Sequence, residues 1–167
     1  MEILYADRTL AVCLKSPGLL STDEPGGVPE LLREELKDEN VRTVHRLDRV
    51  VGGVMVLART KRAAAELSAQ LREDHFGKTY LAAVTGCPAG ERGTLRHFLH
   101  RDKKERKTYA VAEGTPESQE AILDYEVMER AGEHTLLQIR LRTGRTHQIR
   151  CQLSHVGLPI VGDGKLK

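Results

Sequence analysis

The chain has 167 residues, of which 40% are hydrophobic, 30% are charged and 4% are aromatic, a balance typical of one soluble globular domain. No apolar run is long enough to cross a bilayer, and the N-terminus lacks the features of a secretory signal. The three cysteines are odd in number and show no CxxC spacing, which argues against a disulfide framework or a zinc site. We therefore expect a cytoplasmic protein that binds no membrane and no metal.

Charge is distributed unevenly along the chain. Residues 1–40 carry nine acidic and four basic residues, whereas the remaining 127 residues carry 22 basic and 15 acidic ones. Such segregation favours one cationic face that meets a polyanion. An ordinary solvated surface explains the charge alone equally well.

The hydrophobic pattern of the N-terminal half predicts short elements separated by turns. Strands are expected at Glu2–Ala6, 9–15 and 54–58, a short helix at Val28–Leu36 and an extended segment at 43–47. The clearest helix is 61–75, for which Thr60 is the expected N-cap and Ala64, Leu67 and Leu71 share one face.

The C-terminal half is richer in strand patterns. Strands are predicted at Lys78–Thr85, 121–128 and 134–142, followed by a helix from about residue 146 to residue 155. In 134–142, Leu137, Ile139 and Leu141 are expected to face the core. The sum is an α+β fold with a predominantly antiparallel mixed sheet and few helices, in contrast to an alternating βαβ arrangement.

Two segments carry residues suited to chemistry. In VHRLDRVVGGVMVLART (44–60), Asp48 stands at a strand-to-loop junction between Arg46 and Arg49, and two glycines follow that permit close approach of a backbone or a ligand. A solvent-exposed turn aspartate is the alternative.

The second segment is RTGRTHQIRCQLSHVGLPIVGD (142–163). Thr146 is expected to cap a helix that carries His147 and Arg150, and Arg145 stands just before it. The helix start would suit a phosphate or a carboxylate. An amphipathic surface helix is the competing interpretation.

A third segment, RHFLHRDKKERK (96–107), has six Lys or Arg residues against two acidic ones and includes an aromatic ring. A basic loop of this composition would suit an RNA backbone and an unstacked base, and a solvated hairpin tip is the alternative.

Together these segments resemble the RluA family of pseudouridine synthases. The family's signatures are matched in order and at about its spacing by HRLD (45–48), KTYLAAVTG (78–86) and GRTHQIRCQLSHVGLPIVGD (144–163). Weaker likeness extends over ILYADRTLAVCLKSPGLLST (3–22), RDKKERKTYAV (101–111) and AILDYEVMER (121–130). The resemblance implies a single pseudouridine synthase-like catalytic domain over residues 1–167. The N-terminal RNA-binding domain and the last strands common in the family are not expected in it.

The resemblance also implies an activity and a set of residues. The chain would be an isomerase that converts uridine to pseudouridine in rRNA or tRNA without a cofactor. Asp48 would be the catalytic carboxylate, Tyr80 the aromatic ring that packs on the base, and Arg145 the basic partner of Asp48. Arg46 would help to fill the space left by the extruded nucleotide. The expected RNA-binding residues are Arg46, Arg49, Arg101, Lys103, Lys104, Arg106, Lys107, His147 and Arg150.

The chain departs from the family at Val51-Gly52-Gly53, where hydroxyl-bearing residues are common, so the hydrogen bonding around Asp48 is open. Two other functions also stay open at this point. One is an RNA-binding remnant without turnover. The other is a metal-dependent hydrolase using His45, Asp48, His147 and His155, whose histidines lack compact metal-ligand spacing. The sequence does not fix the oligomeric state.

Overall fold

The structure is a computed structural model that describes residues 1–73 and 75–164. The chain forms two compact units, the first ending at Phe76 and the second beginning at Gly77. The assignment of all 167 residues to one catalytic domain stays a prediction.

The first unit is a four-stranded antiparallel sheet with two helices. Its strands lie in the order β1-β2-β4-β3. Alternate residues of β2 are buried, and they pack with β4 and the apolar side of α1 into one core. The elements are β1 (Glu2–Ala6), β2 (Leu10–Lys15), α1 (Val28–Leu36), β3 (Arg42–Thr43), β4 (Gly53–Ala58) and α2 (Lys61–Arg72).

The second unit is a five-stranded antiparallel sheet with one helix. Its strand order is β5-β9-β8-β6-β7. One face of the sheet packs with Leu153 of α3 into a core that includes Leu137, Ile139 and Leu141, so the predicted inward face of 134–142 is confirmed. The elements are β5 (Lys78–Thr85), β6 (Arg92–Asp102), β7 (Lys107–Val111), β8 (Gln119–Ala131), β9 (His134–Leu141) and α3 (Gln148–His155).

The predicted fold class is confirmed, since both sheets are antiparallel and the described residues contain three helices. The strands at Glu2–Ala6 and Lys78–Thr85 and the helix at Val28–Leu36 have the predicted limits. Thr60 caps α2 as predicted, because its side chain accepts the amide of Ala63 at 3.1 Å. That helix ends at Arg72, and residue 74, within the predicted range 61–75, lies outside the described residues.

Several predicted elements end one to three residues away from their observed limits, and three further differences are larger or change the role of a residue. Only Thr43 of the expected extended segment 43–47 lies in a strand, and the chain then bends at 44 and 45. The segment 96–107 belongs mostly to β6. Its outward-facing charged residues hide the alternation of a strand in the sequence, and one of them, Arg96, pairs with Glu120 at 2.5 Å. Finally, α3 begins at Gln148 with His147 as its N-cap, so the prediction that Thr146 caps it is wrong.

The described part of the chain contains no helix that is both long and apolar enough to span a bilayer.

Candidate active site

The loop that carries Asp48 is held by a buried lysine. Lys15, the last residue of β2, is 1% exposed, and its Nζ lies 3.3 Å from the main-chain oxygen of Asp48, 3.2 Å from that of Arg49 and 2.6 Å from that of Val51. A fourth carbonyl, that of Ser16, lies at 3.3 Å. An ammonium group has three donors and no acceptor, so a cluster of carbonyl oxygens suits its burial. The lysine thereby fixes the main chain of the turn that presents Asp48.

The charge of Lys15 responds to this environment in two opposite ways. Burial lowers the pKa of the ammonium group below its usual value, and the negative charge of Asp48 acts in the opposite direction. Desolvation disfavours the charged form of a lysine, whereas a nearby carboxylate favours it. Within the first unit, Asp48 and Lys15 are therefore electrostatically coupled as well as connected through the backbone.

A second set of contacts fixes the same loop from the segment after β2. Ser21, 4% exposed, donates from Oγ to the carbonyl of Leu47 at 2.8 Å and accepts the Leu47 amide at 3.2 Å. The Gly18 amide donates to the carbonyl of Arg49 at 2.7 Å, and Arg49 Nε donates back to the Gly18 carbonyl at 3.0 Å. The chain on both sides of Asp48 is thus tied to residues 18–21.

The residues at 51–53, where the chain departs from the family pattern, are closely packed in the structure. A Cβ atom added at Gly52 would lie 3.0 Å from Cδ of Pro17, so the proline ring occupies the space that a side chain would need. The close backbone approach predicted for the glycines is confirmed at Gly52. Val51 contributes a main-chain carbonyl to Lys15, and its amide donates to the Asp48 carbonyl at 3.0 Å. Main-chain groups therefore supply hydrogen bonds at this turn.

His45 has a structural role in the first unit. Its Nε2 accepts the amide of Val56 on β4 at 3.1 Å, and its ring lies 5.4 Å from that of Phe76. Burial lowers the pKa of the imidazole below its ordinary value of 6.5. Only the neutral ring has a nitrogen lone pair available to accept this bond. The Val56 amide and the desolvation therefore both favour uncharged His45.

Asp48 and the two arginines that flank it differ in exposure. Arg46 and Arg49 are exposed, whereas Asp48 is half-buried. Their RNA-binding and catalytic roles stay predictions, but the placement suits them, since the two arginines reach solvent on either side of a partly shielded carboxylate.

Tyr80 lies in the second unit on the inward face of β5. It is half-buried, packs against the core of Ala82, Val84 and their neighbours, and stands opposite Ile139 in the strand register. The alternation of 78–85 is as predicted, with Thr79, Leu81 and Ala83 exposed on the other face. A role in base packing stays a prediction.

Arg145 lies in the loop between β9 and α3, which is fastened to neighbouring strands. Arg145 is half-buried, and its Nε donates to the carbonyl of Glu120 on β8 at 2.8 Å, which fixes the plane of the guanidinium group. Thr108 of β7, 3% exposed, donates to the carbonyl of Thr146 at 3.0 Å. Because its carbonyl is held in this way and the helix begins later, Thr146 belongs to the loop rather than to the N-cap.

His147 and Arg150 form a cluster with Asp163. Arg150 donates to both carboxylate oxygens of Asp163 at 2.7 and 2.6 Å, and its Nη1 lies 3.0 Å from Nδ1 of His147. The side chains of Arg150 and Asp163 are 15% and 11% exposed. This bidentate pair fastens α3 to the segment after it, so Arg150 has a structural role that the sequence did not indicate. Its predicted RNA contact stays a prediction.

The last residues of the predicted basic segment, 102–107, form the tip of the β6–β7 hairpin. Asp102 accepts the amides of Lys104 and Glu105 at 2.7 and 2.9 Å and so shapes the turn. Lys103, Lys104, Arg106 and Lys107 are exposed around it, whereas Arg101 is half-buried beside Thr108. The structure thus brings five predicted RNA-binding residues of the second unit onto one projecting hairpin.

Sequence reasoning missed Lys15, Ser21, Thr108 and Gln148, all of which are buried polar residues that hold these loops. For Lys15 a signal exists, because it shares the parity of Ala11 and Cys13 on the inward face of β2. The other three occupy positions that only the folded chain makes internal.

Two of the histidines considered as metal ligands, His45 and His155, contact other groups in the structure. His45 binds the Val56 amide, and His155 packs edge-on against His97 with ring centroids 4.8 Å apart. Across residues 1–73 and 75–164, no three His, Cys, Asp or Glu side chains are grouped as metal ligands would be.

We expect Lys15→Met to loosen the Asp48 loop. The substitution keeps much of the side-chain volume but leaves the Val51 carbonyl without its Lys15 donor and takes one donor each from the carbonyls of Ser16, Asp48 and Arg49, which costs about 1–3 kcal/mol. Denaturant unfolding should show this loss, and hydrogen exchange at the Val51 amide should accelerate. Lys61→Met, at an exposed lysine of α2, serves as the control and should stay within about 0.5 kcal/mol of wild type. An unchanged exchange rate at Val51 would contradict the role given to Lys15.

Acidification should destabilise the first unit through His45. Its folded-state pKa is lowered, so below about pH 6.5 the unfolded chain binds more protons than the native chain, and stability falls as the pH drops towards the folded-state value. One such group contributes at most about 1.4 kcal/mol per pH unit. His45→Gln retains an acceptor that does not titrate, so unfolding free energies measured from pH 7 to pH 5 should fall less steeply for it. Equal slopes in the two proteins would remove His45 as the cause.

Comparison with known proteins places these features in one family. The family model described as RNA pseudouridylate synthase matches residues 9–155. The dual-specificity RNA pseudouridine synthase RluA of Yersinia pestis is 37% identical over 170 residues, covering 98% of this chain and 81% of that protein. Ribosomal large subunit pseudouridine synthase D of Xanthomonas campestris pv. campestris is 36% identical over 171 residues, covering 98% of this chain and 50% of that protein.

A solved structure agrees with the sequence relatives. Human RNA Pseudouridylate Synthase Domain Containing 4 superposes with a TM-score of 0.84 at 26% identity, covering 99% of this chain and 69% of that chain. The chain spans about half the length of several curated relatives, 53% for a synthase of Synechocystis and 50% for the Xanthomonas protein. The resemblance to RluA-type proteins is confirmed, and the chain belongs to the RNA pseudouridylate synthase family.

Proposed function

We propose that this chain isomerises uridine to pseudouridine in RNA, with Asp48 as the catalytic carboxylate and without a cofactor. The observation that carries the proposal is the position of Asp48. This aspartate lies inside the matched region 9–155, in a turn whose carbonyls are gathered around the buried ammonium of Lys15. A turn held by a buried charge is suited to presenting one side chain in a fixed direction.

The reaction requires few groups from the protein. The bond from N1 to C1′ breaks, the bond from C5 to C1′ forms, C5 loses a proton and N1 gains one, so no electrons enter or leave. A carboxylate can start this sequence as a nucleophile or as a general base towards the sugar. In the proposal, Tyr80 packs on the detached uracil, and Arg145 favours the charged form of the carboxylate.

The proposed substrate is uridine in structured rRNA or tRNA. The name of one relative, a ribosomal large subunit pseudouridine synthase, supports an rRNA target, and another relative is a dual-specificity RNA pseudouridine synthase. The target base must leave its stack, which costs a few kcal/mol and is offset by contacts in the protein. A cytoplasmic location is part of the proposal and is supported by the three free cysteines.

RNA binding is proposed for the hairpin tip and for Arg46 and Arg49. The hairpin exposes Lys103, Lys104 and Arg106 around a turn shaped by Asp102. Cations on a projecting hairpin can follow a phosphate backbone without reading its sequence. RNA contacts are also proposed for His147 and Arg150, which follow Arg145 closely in the chain.

Asp48→Asn should abolish pseudouridine formation. We expect the rate on unmodified rRNA and tRNA transcripts to fall by about 10²-fold to 10⁴-fold or more, because the amide can act neither as a base nor as a nucleophile. Mass spectrometry of digested RNA measures the product. Asp23→Asn is the matched control, since this aspartate is 61% exposed and pairs with Arg33 at the surface.

Several outcomes separate the hypotheses. Equal activity of Asp48→Asn and wild type would remove Asp48 from the chemistry. RNA binding by the wild type without product would favour the RNA-binding remnant. Activity should persist in excess chelator, because no step uses a metal.

Neutralising the hairpin tip should weaken RNA binding in a salt-dependent way. For Lys103→Gln/Lys104→Gln we expect the slope of log K against log salt to shrink by about 1–2, since each phosphate contact contributes about 0.7–0.9. Filter binding or fluorescence anisotropy from 50 to 300 mM salt, spanning about a sixfold range, measures the slope. Lys61→Gln/Arg62→Gln removes the same net charge from α2 and should leave the slope near the wild-type value. Equal shifts for the two double variants would argue for net charge rather than for a hairpin contact.

A further inference from the structure

Gln148, the first residue of α3, makes two hydrogen bonds to the main chain of Arg145. Its side-chain Oε1 accepts the Arg145 amide at 2.9 Å, and its own main-chain amide donates to the Arg145 carbonyl at 3.1 Å. Gln148 is 2% exposed, so these bonds are shielded from water. The position of the Arg145 main chain is therefore set by one buried residue three positions later.

The carboxamide is the group that this environment requires. Oε1 also accepts the hydroxyl of Thr143 at 2.8 Å, and Nε2 donates to the carbonyl of Ile122 on β8 at 3.1 Å. One side chain thus has to accept twice and donate once. A glutamate would turn a carboxylate oxygen towards the Ile122 carbonyl, and a methionine would leave the Arg145 amide without its oxygen acceptor, whereas the Ile122 carbonyl would keep the Arg142 amide at 3.1 Å.

The same contacts connect the Arg145 loop to the sheet. Thr143 Oγ1 accepts the Ile122 amide at 2.8 Å, so Thr143 and Gln148 both fasten the loop to the same residue of β8. The guanidinium Nε of Arg145 reaches the carbonyl of Glu120, two residues earlier on β8. The main chain of Arg145, through Gln148, and its side chain directly are therefore held by hydrogen bonds to the same strand, β8.

One residue of the loop also has an unfavourable backbone conformation that its surroundings must stabilise. His147, between Arg145 and α3, has a φ of 54° in the left-handed region, which is uncommon for a residue with a side chain. Such a conformation costs of order 1–3 kcal/mol and persists where the surroundings fix it. Gln148 directly follows His147, and its three side-chain hydrogen bonds provide that fixation.

We propose that Gln148 is a positioning residue that directs the guanidinium group of Arg145 during pseudouridine formation. This inference rests on the proposed catalytic role of Arg145. Gln148 acts through the Arg145 main chain, and its removal lets the loop shift while the arginine itself is retained. Misplacement of a reacting group by about 1 Å can cost on the order of 10²-fold in rate.

The test is a double-mutant cycle between Gln148→Met and Arg145→Lys. Alone, Gln148→Met should lower the single-turnover rate by roughly 10-fold to 100-fold and change the RNA dissociation constant by less than about 3-fold. In the Arg145→Lys background it should add less than about 2-fold, because residues that act through one another are not additive.

Gln152→Met is the matched control. Gln152 lies one turn later on α3, is 0% exposed, and its Nε2 donates to the carbonyls of Ala121 at 3.0 Å and Leu95 at 3.1 Å. We expect a comparable loss of thermal stability but a rate effect that adds to that of Arg145→Lys. A Gln148→Met effect that also adds to that of Arg145→Lys, or that matches Gln152→Met at equal stability, would overturn the proposal.

A readout independent of activity keeps the two proposals distinguishable. Hydrogen exchange at the Arg145 amide should accelerate in Gln148→Met and stay at the wild-type rate in Gln152→Met. If Arg145→Lys is as active as wild type, the proposed role of Arg145 fails. If neither the wild type nor any variant makes pseudouridine, the proposed function fails. In both cases the exchange result still tests the contact between Gln148 and Arg145. Unchanged exchange in Gln148→Met would overturn the positioning role whatever the activity.

Discussion

The ammonium group of Lys15 is buried among the carbonyl oxygens of Ser16, Asp48, Arg49 and Val51. Removing a charge from water costs several kcal/mol, and only well-placed partners offset that cost. The carbonyls can serve as partners only when the turn adopts one conformation. Lys15 therefore defines the conformation of the turn, and the presentation of Asp48 depends on it.

The second unit uses neutral groups for the same purpose. Gln148 and Thr108 are buried, and each binds main-chain atoms of the loop that contains Arg145 and Thr146. Loops lack the regular hydrogen bonds of helices and strands, so their backbone groups need partners from elsewhere. Asp48 in the first unit and Arg145 in the second both lie on loops, and buried polar residues hold those loops.

Two sets of basic residues in the second unit differ in their surroundings. On the outer face of the sheet, Arg92, Arg96 and Arg142 each pair with an acidic residue of β8 across the strands. At the hairpin tip, exposed lysines surround the turn that Asp102 shapes. Composition does not distinguish the two groups. The opposite charges of the cross-strand pairs, however, largely cancel in the electrostatic field at a distance. The proposed RNA contact therefore belongs to the hairpin more than to the sheet face.

Local pattern was sufficient for much of this molecule. The alternation in Lys78–Thr85 and 134–142, the helix at Val28–Leu36 and the Thr60 cap follow from periods and side-chain chemistry that act within a few residues. The HRLD and GRTHQIR motifs likewise indicated the family, which the comparisons confirmed. The limits of β3 and α3 did not follow, because contacts distant in sequence compete there with local preference.

What the tertiary structure alone decided is which polar residues are internal. The sequence identified Asp48, Tyr80 and Arg145 as residues with chemistry, since their types and motifs are visible in one dimension. It did not identify the contact of Lys15 with Asp48 and Val51 or that of Thr108 with Thr146, which join residues more than thirty positions apart. The sequence around a lysine or a threonine does not reveal whether its side chain contacts water or a buried carbonyl. Only the folded chain brings the carbonyl to it.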